Sequence, residues 1–507
     1  MTGRPEVRAG LTGAGVRWAF TNLDVGNWHP VTWLSHMLDA ELFAADPGPQ
    51  HLENVALHAL SAALLFALLA RATGAPGRAA FAAAVFALHP QRVESVAWIA
   101  ERKDLLAGLF FFAALGAYGR WTAAPSAARQ AVLLALAALG LLCKAVVMAL
   151  PAALLLLDLW PLGRLRAPAE LLARVREKLP LIALCAALGA VALYGQSHGH
   201  ALTSLDVLPL RDRIANALVS PVLYLRDFFW PAHLAVLYPH PRGDWAWWQP
   251  VGAAALLAAI TLACARAVRT RPVLLAGWLW FLVMLVPVIG LVQVGAQARA
   301  DRYTYLPMVG PVVAATWGIA DAFAGRWIAR ALPVAALAVL LALAVTTRVQ
   351  LAWWRDDATL FAHAAAVTRD NAIAYSNWAN ALDADPAQQR ALLERALAIE
   401  PRLASAHYGL GRALARDGDA AGAEREYRLA LRGDPGDARA HNNLGNLLLD
   451  SGRIDEAIAH YRLALAREPG RASTTHNLAV ALRAQADAQA RESRAAAPPS
   501  EAPEPRP

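Results

Sequence analysis

The chain has 507 residues, of which 57% are hydrophobic and 17% charged, with 17 Trp, a formal net charge of +8 and a mean hydropathy of +0.35. Soluble domains are less apolar and carry more charge, so this composition excludes an ordinary soluble fold and points to a polytopic helical membrane protein. The basic balance suits membrane loops and comes with no nucleic-acid motif, while Cys143, Cys185 and Cys264 fall in or beside apolar runs and form neither a disulfide set nor a metal spacing.

Residues 1–53 carry Trp18, Trp28 and Trp33 among polar residues, which predicts an outward-facing amphipathic segment at the membrane interface. No apolar signal core opens the chain. Ten apolar runs follow between residues 54 and 347 and are predicted as about ten spans. The amphipathic stretch 213–230 is placed at the interface. Alternate short loops differ in basic density. The set 71–78, 120–129, 163–178, 266–272 and 325–330 holds 14 Lys/Arg in 47 residues, against 13 in 144 for the other set. The denser set is predicted to be cytoplasmic, which puts both termini outside. The first outward segment then has no span ahead of it, so an N-terminal span is expected to be missing from this sequence.

The stretch 89–104, HPQRVESVAWIAERKD, breaks into this pattern with six charged residues between two apolar runs. Charge at membrane depth faces a cavity or a partner, and it usually marks function. Glu94 and Glu101 are seven apart and Asp104 is three further on, so one helical face would carry all three. They are the candidate base or metal-binding carboxylates. Arg299 and Arg302 sit on the side that the positive-inside rule disfavours. They serve either an anionic ligand or an acidic partner, Asp301 or Glu94. His29, His36, His58 and His89 have no metal-ligand spacing. His29 and His89 precede Pro and read as loop-shaping residues, and Lys144 reads as one half of a buried pair or a phosphate contact.

Beyond residue 348 the composition changes. Pro401, Pro435 and Pro469 repeat every 34 residues, and the same step relates His407 to His441, Gly411 to Gly445, Tyr427 to Tyr461 and Ala430 to Ala464. This period and these residue types read as tetratricopeptide repeats over 349–484. A shortened repeat runs from Tyr375 to Pro401, and residues 485–507 are predicted disordered from composition. The sixth position of each first helix is Asn377, Gly409, Asn443 and Asn477. The three Asn are candidate contacts to a bound peptide backbone.

NWHPVTWLSHMLD (27–39), HLENVALHAL (51–60), FALHPQRVESVAWIAERKDLL (86–106), LLLLDLWPL (154–162) and ARADRYTYLP (298–307) together resemble the bacterial relatives of the transmembrane and tetratricopeptide-repeat O-mannosyltransferases. The resemblance covers Glu6 to about Ala484. It implies an all-α GT-C type glycosyltransferase that takes sugar from a polyprenyl-phosphate donor on the outer face of the membrane. The acceptor would be protein or peptide. Glu94, Glu101 and Asp104 are then the catalytic candidates. Arg92, Arg102, Lys103, Arg299 and Arg302 are the donor-phosphate candidates, with Tyr303 and Tyr305 as sugar contacts or interfacial anchors. The need for a divalent metal stays open. The family's acidic Asp pair, which follows a first span, has no counterpart ahead of Glu6, and Asp24 and Asp39 do not match it. The chain as written is therefore expected not to transfer sugar. The alternative reading is a non-catalytic membrane scaffold whose repeats bind partners. The expected organisation is an outward segment 1–53, a membrane domain 54–348, repeats 349–484 and a tail 485–507. The protein is placed in a bacterial inner membrane in contact with lipid, with the repeats on the periplasmic side.

Overall fold

A computed structural model describes residues 4–23, 28–44, 46–198, 202–382 and 385–495. The chain divides into two compact units, Met1–Arg355 and Asp356–Pro507. Both are helical, apart from a short antiparallel pairing of Tyr238–Pro239 with Gln297–Arg299 in the first.

The first unit opens with helices where a loop segment was expected: Pro5–Arg8, Gly13–Thr21 and Pro30–Phe43. Thr12 Oγ1 accepts from the Gly15 amide and caps the second helix. Val7, Ala19, Trp33 and Met37 form a small core of their own, while Leu11 and Phe20 stay exposed. This stretch thus keeps some apolar side chains inward and leaves others exposed.

The ten apolar runs are largely helical, and among the described residues five helices are long and apolar enough to cross a membrane: Pro47–Thr73, Ile99–Ala123, Leu179–His198, Trp248–Arg266 and Trp327–Ala352. Pro76–Leu88, Ala127–Cys143, Ala145–Leu159, Pro272–Val288 and Val309–Ala322 are shorter. Of the ten expected spans, five thus have the length, and the other five are apolar but shorter. Proline explains part of the shortening. His89 and Trp160 are extended because they precede Pro90 and Pro161, and each ends its helix. Apart from Ile99–Ala123, these long apolar helices bury little. Val334, Leu337, Leu341 and Val345 all point outward from Leu332–Ala352, an apolar surface that a single chain in water does not carry.

The core of this unit gathers on Arg102–Ala123, whose Leu105, Phe111, Phe112 and Leu115 pack against Leu150, Leu154, Met284 and Tyr305. Pro272–Leu285 and Val309–Ala322 cross at Gly277 and Gly310, where a Cβ on either residue would meet the other's carbonyl oxygen. Small residues at such crossings let membrane helices approach closely.

The second unit stacks helix pairs. Ala404–Arg416 packs with Ala420–Gly433, and Ala438–Asp450 with Ile454–Arg467. Gly411 lies against Tyr427 and Gly445 against Tyr461, so closely that a Cβ would sit 2.7 Å from each ring. The 34-residue period thus encodes a repeated packing contact. The His at the same step repeats a polar one: His407 Nε2 bonds Pro401 O at 3.0 Å and His441 Nε2 bonds Pro435 O at 3.2 Å. The last helix, Ala472–Ala495, runs past residue 484, where order was expected to end.

Candidate functional site

The stretch 89–104 is not one helix. Pro90–Arg92, Val93–Ala97, Ile99–Glu101 and the start of Arg102–Ala123 follow one another, with Trp98 extended between the second and third. Glu94, Glu101 and Asp104 therefore leave the expected common helical face. They are gathered instead by cations from elsewhere in the chain. Arg302 pairs with Glu94, and its backbone amide donates to Glu94 Oε2 at 2.7 Å. Arg302 Nε also lies 3.7 Å from Glu101. Lys103 pairs with Glu101 at 2.9 Å, and Lys144 pairs with Asp104 and lies 3.9 Å from Glu101. All three carboxylates are buried, while Lys103, Lys144 and Arg302 are half-buried and form the rim. Tyr303 lies under Lys144 and Arg302. Tyr305 is buried and bonds His58 Nδ1 at 2.9 Å.

The other sequence candidates sit beside this chain of charges. Arg102 is wholly enclosed: it pairs with Asp39 and with Glu53 at 3.0 Å, and donates to Asn54 Oδ1 and Gln50 O. Its guanidinium is occupied by protein partners, and Asp39 is occupied by it. Arg299 pairs with Asp227 at 2.5 Å and lies over the Tyr238 ring. Asp301 accepts from Tyr238 Oη at 3.1 Å rather than pairing with Arg299 or Arg302. Burial, with Glu94 nearby, pushes Asp301 well above the usual carboxylate range. Glu94 is also raised by burial, against the pull of Arg302. Asp24 lies outside the described residues.

Arg92 differs from the rest. It is 3% exposed, and Nη2 donates to Thr304 Oγ1 at 2.8 Å. Phe86 and Tyr305 flank its guanidinium. Nε and Nη1 have no partner among the described residues, and neither does either amide atom of the adjacent Gln91. Burial lowers its pKa to about 10, which still leaves it charged at neutral pH. Arg92 stands outside the pairs that Lys103, Lys144 and Arg302 make with the three carboxylates. Glu101 Oε2 likewise lacks a hydrogen-bond donor. A buried cation with two unbonded guanidinium nitrogens can hold an anion, and a carboxylate with an unused lone pair can accept a proton. His29, His36, His58 and His89 are buried, and His89 Nε2 donates to Phe228 O at 2.9 Å. No group of three metal-binding side chains occurs among the described residues.

In the second unit, Asn377, Asn443 and Asn477 are half-buried on first helices, with the helix of Gly409, Ala404–Arg416, between those of Asn377 and Asn443. Asn443 Nδ2 donates to Tyr408 Oη at 3.4 Å, and Asn477 Nδ2 donates to Asn442 Oδ1 at 3.1 Å and Asn446 Oδ1 at 3.0 Å. The ladder thus includes Asn442, Asn446 and Tyr408, which sequence reasoning missed. Their signal was present: Asn446 is three beyond Asn443, on the same helix face. Arg439 lies over the Tyr408 ring at 4.8 Å.

Three overlapping stretches, residues 390–438, 408–472 and 442–497, match the tetratricopeptide repeat family. The C-terminal region therefore carries tetratricopeptide repeats, an architecture that serves protein–protein interaction. No curated protein matches the chain. Among solved structures, the crystal structure of MamA protein is 18% identical, covers 25% of this chain and 72% of its own, and has a TM-score of 0.23.

Proposed function

We propose that this chain is a membrane-anchored protein whose repeats capture an extended polypeptide on the outer side of the membrane. The ladder of Asn442, Asn443, Asn446 and Asn477 carries the reading. An Asn side chain offers both a donor and an acceptor to a peptide backbone, without regard to peptide sequence. The outward placement rests on the loop charge densities. The test is peptide affinity of the full chain in detergent, with a Ser/Thr-rich unstructured peptide as probe. Asn443→Ala with Asn477→Ala should weaken binding about tenfold, the effect of losing roughly 1.4 kcal/mol. Unchanged affinity overturns the reading.

A second reading is favoured by Arg92: sugar transfer from a polyprenyl-phosphate donor to the captured polypeptide. Arg92, with Lys103, Arg299 and Arg302 nearby, would hold the donor phosphate. Glu101, with its unused oxygen, would serve as base before Glu94 or Asp104, which are more fully engaged. Transfer to a Ser/Thr peptide that Glu101→Gln abolishes supports this reading. Absence of transfer by the unaltered chain leaves the scaffold role alone standing.

A further inference from the structure

A cavity separate from the charged cluster lies among Pro47–Thr73, Arg102–Ala123, Leu150–Leu159, Pro272–Leu285 and Val309–Ala322. Its volume is about 540 Å³, within the roughly 300–1,000 Å³ of ordinary ligand pockets. Leu65, Leu68, Phe112, Leu156, Trp280 and Val313 typify its apolar wall. Among the described residues, Arg71 and Arg120 are the charged ones that line it, and none of the lining residues is acidic. Both are exposed, and both stand in the last turn of their helices. Neither has an ion-pair partner among the described residues. The helix dipole favours a basic residue at such a position. It does not explain why two helices aim arginines at one apolar space that has no acidic residue. Gly116 and Gly119 also line the space, and a Cβ on either meets nothing within 4 Å. An apolar gap of this size forfeits contacts in proportion to its volume, so it is suited to an apolar occupant.

The geometry points to an anionic phospholipid in this cavity, with one acyl chain along the apolar wall and the phosphodiester held between Arg71 and Arg120. The assignment rests on the reading of the apolar helices as membrane spans. An acyl chain matches the wall, and the headgroup charge matches the two arginines that line the cavity, whose guanidinium groups can bind phosphate oxygens bidentately. The site is remote from the charged cluster. Arg102 and Arg120 stand at opposite ends of one helix, about 27 Å apart at 1.5 Å per residue.

The full chain is reconstituted in nanodiscs of phosphatidylcholine with or without phosphatidylglycerol, and its Tm is measured. A ligand bound only by the folded state raises Tm, so phosphatidylglycerol should raise it by several degrees. Arg71→Gln with Arg120→Gln should remove that shift, and so should Gly116→Leu, which fills the cavity. The arginine pair is exposed, so this variant tests the site even if the glycine variant misfolds. Equal Tm in both lipids overturns the assignment. So does a phosphatidylglycerol shift that survives the arginine changes. A shift with added polyprenyl phosphate but not with phosphatidylglycerol overturns the choice of phospholipid. Recovery of the chain from cells without detergent overturns the bilayer premise before any lipid is added, and says nothing of peptide capture by the repeats.

Discussion

The helix Arg102–Ala123 carries a buried charge cluster at each end, and the two are built differently. At the C-terminal end Asp158 accepts from Tyr118 Oη, from Arg164 Nη1 at 2.9 Å and from Lys178 Nζ at 2.6 Å, while Arg164 also pairs with Glu177 at 2.9 Å. Asp158, Tyr118, Lys178 and Arg164 leave no buried side-chain polar atom without a partner among the described residues. At the N-terminal end Arg92, Gln91 and Glu101 leave five such atoms: Nε and Nη1, both amide atoms, and Oε2. Both ends hold buried carboxylates, Asp158 at one and Glu101 at the other, although Arg164 and Glu177 are more exposed than Arg92 and Gln91. The difference is closure. A closed cluster satisfies its own groups and fixes helix positions; an open one retains the desolvation cost of unpaired groups, which persists where a ligand or mechanism uses them.

The largest test of this contrast removes the keystone of the closed cluster. Asp158→Asn should destabilise the protein by about 3–5 kcal/mol, because Lys178 and part of Arg164 are left as uncompensated buried charge. Thermal unfolding in detergent measures it. Donor or peptide binding by the fraction that folds should be unchanged. A loss of only a few tenths of a kcal/mol would make the two ends equivalent.

An effect of middle size comes from pH. His89 is held down to about 3, first by burial and then by Arg92. The unfolded chain takes up a proton near 6.5, and folded His89 does not until about pH 3. The stability it confers is therefore full above pH 6.5 and declines as pH falls toward 3, by about 1.4 kcal/mol per pH unit. At pH 5 that is about 2 kcal/mol. Tm measured from pH 7.5 to 5 should fall less steeply in His89→Gln than in the unaltered chain, and equal slopes would remove His89 as the cause.

In the repeats the effects are smaller. Gly445→Ala drives a Cβ against the Tyr461 ring and should cost about 1–3 kcal/mol by overpacking. Asn443→Ala removes two long, partly exposed hydrogen bonds, one given to Tyr408 Oη and one accepted from Asn442 Nδ2, and should cost about 1 kcal/mol. The two separate packing from recognition: only the second should reduce peptide affinity in molecules that remain folded.

What the sequence discloses follows from range. The repeats are legible because Gly411 with Tyr427, and His407 with Pro401, are local contacts copied at a fixed step. The apolar helices are legible because lipid and core select the same residue types. Their lengths are less so, since Pro90 and Pro161 end helices inside continuous apolar runs. The site was legible in composition but not in geometry. Glu94 and Arg302 are 208 positions apart, and no periodicity joins them. Asp158 lay in plain view within the apolar LLLLDLWPL, where a lone carboxylate calls for a partner. Its partner Tyr118 comes from another helix and Lys178 from the turn before Leu179–His198, so the rule names the residue without naming the contact.

The smallest expected change in stability is the most decisive for the open cluster. If Arg92 were structural, like Asp158, its removal would cost several kcal/mol. Its environment argues otherwise. It gives up one hydrogen bond, to Thr304, and that hydroxyl still donates to Asp301 O at 2.6 Å. It carries a buried charge with no carboxylate bonded to it, and Phe86 and Tyr305 around it welcome an apolar side chain. Replacing such a cation with a well-packed aliphatic residue is close to neutral or stabilising. Arg92→Leu should therefore change stability by less than about 1 kcal/mol, in either direction, while Asp158→Asn unfolds the opposite end of the same helix. Binding of a polyprenyl-phosphate sugar, measured on the same preparations, should be lost in Arg92→Leu. A loss of stability near that of Asp158→Asn would class Arg92 with the closed cluster, and retained donor binding in a folded Arg92→Leu protein would remove it from the site.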